Sequence, residues 1–329
     1  MGKVLIPLSP LGFWDFYGDA PPPAGLQRLL VGFIEKDIFS AQLLKLDTNH
    51  QARACLLSSS AKNAGAWLTT LPSCKEFMIS DTNYRLAARF RLGLAPHDDL
   101  PKQCQCQTLL SSDPAHFLSC KSFRHSPVNH RHGMQTQLLV RLIHKAGGTA
   151  YLEPSWIDQK RPDIHATFPD ARFVIDNSYT HSAAPSHCRA SAFHVLHAAK
   201  KREATKTSKY QAMAAAEDCK FVPFVQETYG GLGIQAKRFI SELVRQSKEH
   251  SAPSVTRFRD YAIRALAVCL VNGNCFVQHA GCLRLRAWDG RFRRDRSRLV
   301  SRSFSYRPRP STYAIRPSSP PPSSPSSIE

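Results

Sequence analysis

Two groups of residues have the types and spacing to do chemistry. Cys104, Cys106, His116 and Cys120 form a C-x-C-x9-H-x3-C pattern. Two close pairs of soft or borderline ligands bridged by a loop can surround a tetrahedral ion, and Zn²⁺ prefers such a set. His116 and Cys120 are four residues apart, which places them on one face of a helical turn. Asp113 stands ahead of Pro114 and Ala115 as a cap for that turn. The Cys104/Cys106 pair is tighter than the usual two-residue gap, and His125, His130 and His132 are nearby alternatives for one ligand. Metal binding would also provide the folding energy that a polar stretch lacks. Cys55, Cys74, Cys188, Cys219, Cys269, Cys275 and Cys282 read as ordinary thiols, most of them buried.

The second group is acidic. Arg161-Pro162-Asp163 begins one expected strand, and Val174-Ile175-Asp176 lies within the next. If the two strands form a hairpin, both carboxylates meet at one sheet edge. Mg²⁺ (or Mn²⁺) takes oxygen ligands of this kind while keeping several waters. The ion polarises a phosphodiester and lowers the pKa of an attacking water. A nearby lysine then stabilises the developing charge. The simplest such motif has its lysine two residues after the second acid, where this chain has Ser178. Lys209, on the following helix, is the candidate replacement, with Lys206 and Lys201 as competitors. Glu153, ending the preceding strand, is a candidate third acidic ligand. On spacing alone, Asp163 and Asp176 read more simply as turn or edge aspartates, common in any α/β protein.

These residues need elements to hold them. Leu29–Phe39 reads as a short helix, and Tyr84, Leu86 and Phe90 mark another. Met134, Leu138, Leu139, Leu142 and Ile143 repeat at helical spacing until Gly147-Gly148. Strands follow at Thr149–Glu153, Pro162–Phe168 and Ala171–Tyr179, the last two joined at Pro169-Asp170. A long polar helix is expected from about Ser191 to Ala216. Phe221–Val225 is nearly all apolar and reads as a central strand. Gly230-Gly231-Leu232-Gly233 opens a helix with Phe239, Ile240 and Leu243, and a last helix spans about Val255–Val271, ending at Asn272-Gly273. This order suits an α/β fold with a mixed central sheet flanked by helices.

The expected organisation is an N-terminal remnant over 1–63, a helical linker over 64–100, a Cys/His knuckle over 101–133, the α/β domain over 134–285 and a tail over 286–329. Ten arginines fall between Arg284 and Arg309, and residues 317–328 are almost wholly Pro and Ser, a composition that predicts disorder. Across 329 residues the formal net charge is +19, which points to a polyanionic partner, nucleic acid by default. No signal peptide and no run of about 18 apolar residues is evident, so the expectation is a nuclear or cytoplasmic protein, not secreted and without a membrane partner. Composition is silent on oligomeric state.

Over about residues 64–285 the chain resembles the C-terminal region of non-LTR retrotransposon polyproteins, in which a zinc knuckle and a restriction-enzyme-like endonuclease follow the reverse transcriptase. The resemblance rests on an ordered series of short motifs. They are Gly65-Ala66-Trp67-Leu68, Arg89-Phe90-Arg91-Leu92-Gly93-Leu94, the Cys104/Cys106/His116/Cys120 knuckle and Arg131-His132. Leu152-Glu153-Pro154, Arg161-Pro162-Asp163, Ile175-Asp176, Lys209-Tyr210, Phe221-Val222-Pro223-Phe224 and Glu227–Gly233 complete it. It implies a PD-(D/E)xK restriction-endonuclease-like core that nicks target DNA to prime reverse transcription. It further implies Asp163 and Asp176 as metal ligands, Lys209 in the lysine role because Tyr210 follows it, and Glu153 as the acid before the Arg-Pro-Asp motif. The implied cofactors are Mg²⁺ (or Mn²⁺) and Zn²⁺, and the implied partners are DNA and the element's RNA. No Tyr-x-Asp-Asp polymerase signature occurs, and Asn177 replaces an apolar strand residue of the family. The competing expectations are an inactive nucleic-acid-binding remnant and a decayed reading frame.

Overall fold

The computed structural model describes residues 26–289, apart from 111–112, 114, 121–125, 155–160 and 251–254. His125, the aromatic run at Phe13–Tyr17 and the Pro/Ser-rich tail therefore lie outside the described residues. The chain is an α/β protein with a four-stranded mixed sheet flanked by helices. Strands β1 (Thr149–Leu152), β2 (Ile164–Thr167), β3 (Arg172–Thr180) and β4 (Lys220–Glu227) lie in the order β1-β2-β3-β4. The first three pair antiparallel, and β4 runs parallel to β3. A parallel pair needs a crossover, which is supplied by α5 (Cys188–Ser191) and α6 (His197–Ala216).

β3 is buried on both faces, so its side chains must suit two different cores. Phe173 and Ile175 pack with Leu139, Leu142 and Ile143 of α4 (Ser126–Lys145) and with Phe239 and Leu243 of α7 (Ile234–His250). Val174 points the other way, onto Tyr210, Met213 and Ala214 of α6. Asp176 follows at the same parity as Val174 and so shares the α6 face. The α6 crossover is shorter than the sequence suggests. The chain breaks at residues 192–196, where Leu196 takes the left-handed conformation with φ 62°.

The N-terminal region holds α1 (Leu26–Lys45), α2 (His50–Ser59) and α3 (Asp81–Arg91), with short 3₁₀ turns at Ala66–Thr69 and Lys75–Phe77 between the last two. The largest departure from expectation is the last helix. Asn272-Gly273 does not stop it: α8 runs from Val255 to Asp289. Its successive turns enter different clusters. Ala262, Ala265 and Leu266 join the sheet core, while Val268, Val271 and Cys275 pack on Trp67 and Leu86. Val277 meets Phe90 and Tyr229, and Cys282 and Leu285 reach Cys104 and Phe117. Residues 257–287 are apolar enough to cross a membrane, with a mean hydropathy of 1.3 in the best window, yet 67% of that window is buried inside the protein. Burial on several sides accounts for this composition.

Two glycines let α8 approach its neighbours. A Cβ at Gly273 would come within 2.6 Å of Arg131 Cγ, and one at Gly281 within 2.5 Å of Phe117 Cγ. Phe117 is fully buried and cannot give way. Gly281→Ala is therefore expected to destabilise the fold by about 1–3 kcal/mol through overpacking. Gly32→Ala in α1, where nothing lies within 4 Å of the added carbon, should be neutral or stabilising by roughly 0.5–1 kcal/mol. Urea unfolding of the two variants checks the contrast.

Burial also sets an acid limit on stability. His181 is buried at the end of β3, with Nδ1 2.7 Å from the Thr228 hydroxyl. Burial pushes its pKa down to about 4 from 6.5, and burial likewise lowers His97, His165, His187 and His279. Between those values the unfolded chain binds the proton and the folded chain does not, so stability falls as pH drops from 6.5 towards 4. Thermal melts across that window should show this fall, and a shallower one for His181→Gln.

Candidate functional site

Cys104, Cys106, His116 and Cys120 converge, with one ligand atom from each lying within 4.8 Å of all the others. Cys104 Sγ and Cys106 Sγ each lie 3.7 Å from Cys120 Sγ, and Cys106 Sγ lies 3.2 Å from His116 Nε2. Sulfurs on a tetrahedral ion at 2.3 Å would be separated by about 3.8 Å. Among the described residues this is the one Cys/His/Asp/Glu group compact enough to hold a metal ion in this way. The donor set, three thiols and an imidazole, fits a metal.

Local structure explains the convergence. Leu110 N–H donates to the Lys102 carbonyl and Cys104 N–H to that of Thr108, folding the C-x-C segment into a tight loop with Gln107 left-handed. The expected α-turn is a 3₁₀ turn, His116–Leu118, with Cys120 just beyond it. Asp113 accepts the Ala115 N–H at 3.2 Å, the expected capping role. It does more: its other oxygen lies 3.7 Å from His116 Nδ1, which leaves Nε2 turned towards Cys106. A carboxylate behind a ligating histidine fixes its tautomer and orientation. Burial opposes the Cys106 thiolate, but the Thr108 hydroxyl and N–H and the neighbouring thiols bring it down to about 6. Burial instead pushes Cys104 up to about 12. His130 and His132, weighed as alternatives, belong elsewhere: His130 packs on Phe276 and His132 faces Asp163. Burial holds Cys55 at about 11 and Cys269, Cys275 and Cys282 at about 12, so these remain thiols.

The acidic residues occupy one end of the sheet. Asp163 stands just before β2, and its N–H donates to the Ile175 carbonyl at 3.1 Å. Its carboxylate accepts the Asn177 N–H at 2.6 Å and lies 3.3 Å from His132 Nε2. With the Asn177 amide nitrogen turned to Asp163 it donates there at 2.8 Å, and its oxygen accepts from Thr136. Asn177 thus ties Asp163 to α4. Glu153 is adjacent: its N–H donates to the Asp163 carbonyl at 3.0 Å, while its side chain is exposed. Asp176 is buried on the other face of β3 and pairs with Lys206 of α6. Burial raises its pKa, Lys206 opposes that rise, and the charge of Asp163 adds to it.

The lysine picture is sharper than the sequence allowed. Lys206, Lys209 and Arg202 share one side of α6 at helical spacing. Lys206 makes the ion pair with Asp176, whereas Lys209 is exposed, with its ammonium 4.7 Å from the Tyr210 ring. The Asp176 charge still acts on Lys209 and raises its pKa, after the larger effect of Tyr210. Lys201 is exposed on α6.

Sequence reasoning did not single out the buried glutamates that place α6. Glu227 accepts from the Ser58 hydroxyl at 2.6 Å and from the Ala199 N–H at 3.1 Å. Glu203 accepts the Gln235 N–H at 2.8 Å at the start of α7. Both carboxylates sit at helix N-termini, where the backbone favours negative charge. In the sequence Glu227 closes the apolar run of β4, whereas Glu203 stands among Lys200, Lys201, Arg202 and Lys206 and gives no such signal. Comparison with known protein families and with curated proteins finds no match for this chain.

The quartet predicts a stoichiometry. The chain should retain one metal ion through gel filtration, and Cys120→Ser or His116→Ala should lose it, as read by elemental analysis. Removal by a chelator should expose residues 101–120 to protease before the sheet is cut.

Proposed function

We propose that this protein is a metal-dependent DNA-nicking module with a PD-(D/E)xK-type core, accompanied by a zinc knuckle, of the kind found in retrotransposon proteins. The observation that carries the reading is the arrangement of charge at one sheet end. Asp176 is buried on β3, feels the charge of Asp163, and is met by a lysine from the crossover helix. A buried carboxylate beside a second one is costly unless a cation compensates it. Asp163 and Asp176 are the residues that would hold Mg²⁺ (or Mn²⁺), with Glu153 alongside. When bound, the ion polarises the phosphodiester and activates water.

The chain's own groups prepare that chemistry. His132 and the Asn177 N–H fix one Asp163 oxygen, which orients the carboxylate. Lys206 compensates Asp176 before substrate arrives and takes the role that the resemblance gave to Lys209. Lys209, one turn on, is exposed on the same side of α6 as Arg202, with exposed Lys201 about a quarter turn away, and this side offers cations to a phosphate backbone. Phosphate contacts from such a face give salt-dependent, sequence-tolerant binding. In the knuckle, three thiols and a histidine suit Zn²⁺ above harder cations.

Supercoiled plasmid provides the test. The wild-type chain with Mg²⁺ or Mn²⁺ is expected to convert it to open circle, and Asp176→Asn and Asp163→Asn to lose at least a hundredfold in rate. Lys206→Met should cost more than Lys209→Met, and the opposite order returns the lysine role to Lys209. Binding without nicking in the wild-type chain would leave a non-catalytic nucleic-acid binder and overturn the enzymatic reading.

A further inference from the structure

The break between α5 and α6 displays apolar side chains that the fold could have buried. Phe193 is 51% exposed and Val195 52% exposed, with exposed His194 between them. Both ends of the tip are pinned. Arg53 of α2 donates from Nε to the Ala192 carbonyl at 2.8 Å, and the same guanidinium lies over the Phe193 ring at 5.0 Å. Leu196 holds the far end in a left-handed conformation that leucine rarely adopts. Its Cδ2 fills the space beside Gly231, 2.5 Å from where a Cβ would stand there. Backbone strain at a bulky residue persists only where the surroundings enforce it. Here Leu196 turns inwards, and Phe193 and Val195 remain outside.

The surroundings of the tip are basic. Arg189, Lys200 and Lys201 are exposed on either side, and His197 follows at the start of α6. Asp47 pairs with Arg53, the arginine that backs the Phe193 ring. An aromatic ring backed by a guanidinium and flanked by lysines matches how single-stranded nucleic acid is held. Bases stack on the ring, and cations follow the backbone. Along α6, Lys206 lies about 14 Å from the helix start at 1.5 Å per residue. That is roughly four base steps of duplex at 3.4 Å each.

We propose that the Ala192–Leu196 tip is a stacking wedge for an unpaired base a few nucleotides from the phosphodiester addressed by the Asp163/Asp176 site. The inference rests on the reading of a nucleic-acid substrate given above. The wedge selects DNA that is locally open, and the basic face of α6 supplies affinity that does not depend on pairing.

The test uses the full chain without added divalent cation, so that binding is read apart from cleavage. Two probes of the same sequence carry 2-aminopurine, one fully paired and one with a three-base bubble at the fluorescent base. The wild-type chain should quench the bubble probe. Phe193→Ala should abolish that quenching and weaken bubble binding about tenfold, within the range for loss of one base–aromatic stack, with duplex affinity unchanged. Phe193→Tyr should restore both. Lys200→Ala with Lys201→Ala should weaken the two probes alike. Equal affinity of wild type and Phe193→Ala for the bubble, or an equal loss on both probes, overturns the wedge. So does Phe193-dependent binding to phosphatidylserine vesicles without quenching of the bubble probe. No binding to either probe removes this inference and the proposed function together. Phe193-dependent quenching in a chain that fails to nick plasmid keeps the wedge and removes only the nicking chemistry.

Discussion

The structure depends on the continuous path of α8. One helix lends successive turns to the sheet core, the Trp67 cluster, the Tyr229 cluster and the knuckle. A helix that must bury several faces becomes apolar around much of its circumference, and its neighbours can come close only where it has no side chain. Gly273 and Gly281 are those positions, facing Arg131 and Phe117. The Cys/His loop is therefore not a bead on a linker. Phe117, which lies between His116 and Cys120 of the quartet, is packed into the same helix that supports the sheet.

Charge is organised on the opposite side of the sheet. β3 separates two environments, and alternation along it sends Ile175 into the main core and Asp176 towards α6. The buried carboxylate constrains α6 to present Lys206 at that depth. Glu227 and Ser58 help fix where α6 begins, and Glu203 ties the same helix to the start of α7. Each of these carboxylates is raised by burial. Their compensation comes from backbone N–H groups, the Ser58 hydroxyl and Lys206. A shift of α6 by one residue would rotate Lys206 by about 100° away from Asp176.

The Cys/His loop solves a different problem. It has few apolar residues of its own and contributes Cys104, Leu110 and Phe117 to a small cluster completed by α8. Asp113 adds order to such a segment, serving both as a turn cap and as a partner for His116, and an ion held by the quartet would add the rest.

The four strands and the long helices around them were legible in the sequence because periodicity is local: Leu138, Leu139, Leu142 and Ile143 declare α4, and the apolar run at Phe221–Val225 declares β4; α2 and the short α5, which lack such a run, were not. The convergence of the Cys/His quartet was legible too, since its four residues lie within a short span and their spacing is itself the signal. What the sequence could not decide depends on distance in space. Asn272-Gly273 reads locally as a helix stop, yet Arg131 from another helix needs that glycine inside α8. Lys206 and Lys209 are equivalent on paper, and only the docking of α6 on β3 brings Lys206 to Asp176. His132 reads as a spare ligand for the knuckle, but α4 carries it to Asp163. The sequence by itself determined the residue types, the strand order with its long neighbouring helices and the excess positive charge, all set by neighbours along the chain. The tertiary structure decided which lysine meets the buried carboxylate, which histidine faces Asp163 and how far α8 extends, because those outcomes follow from packing between distant segments.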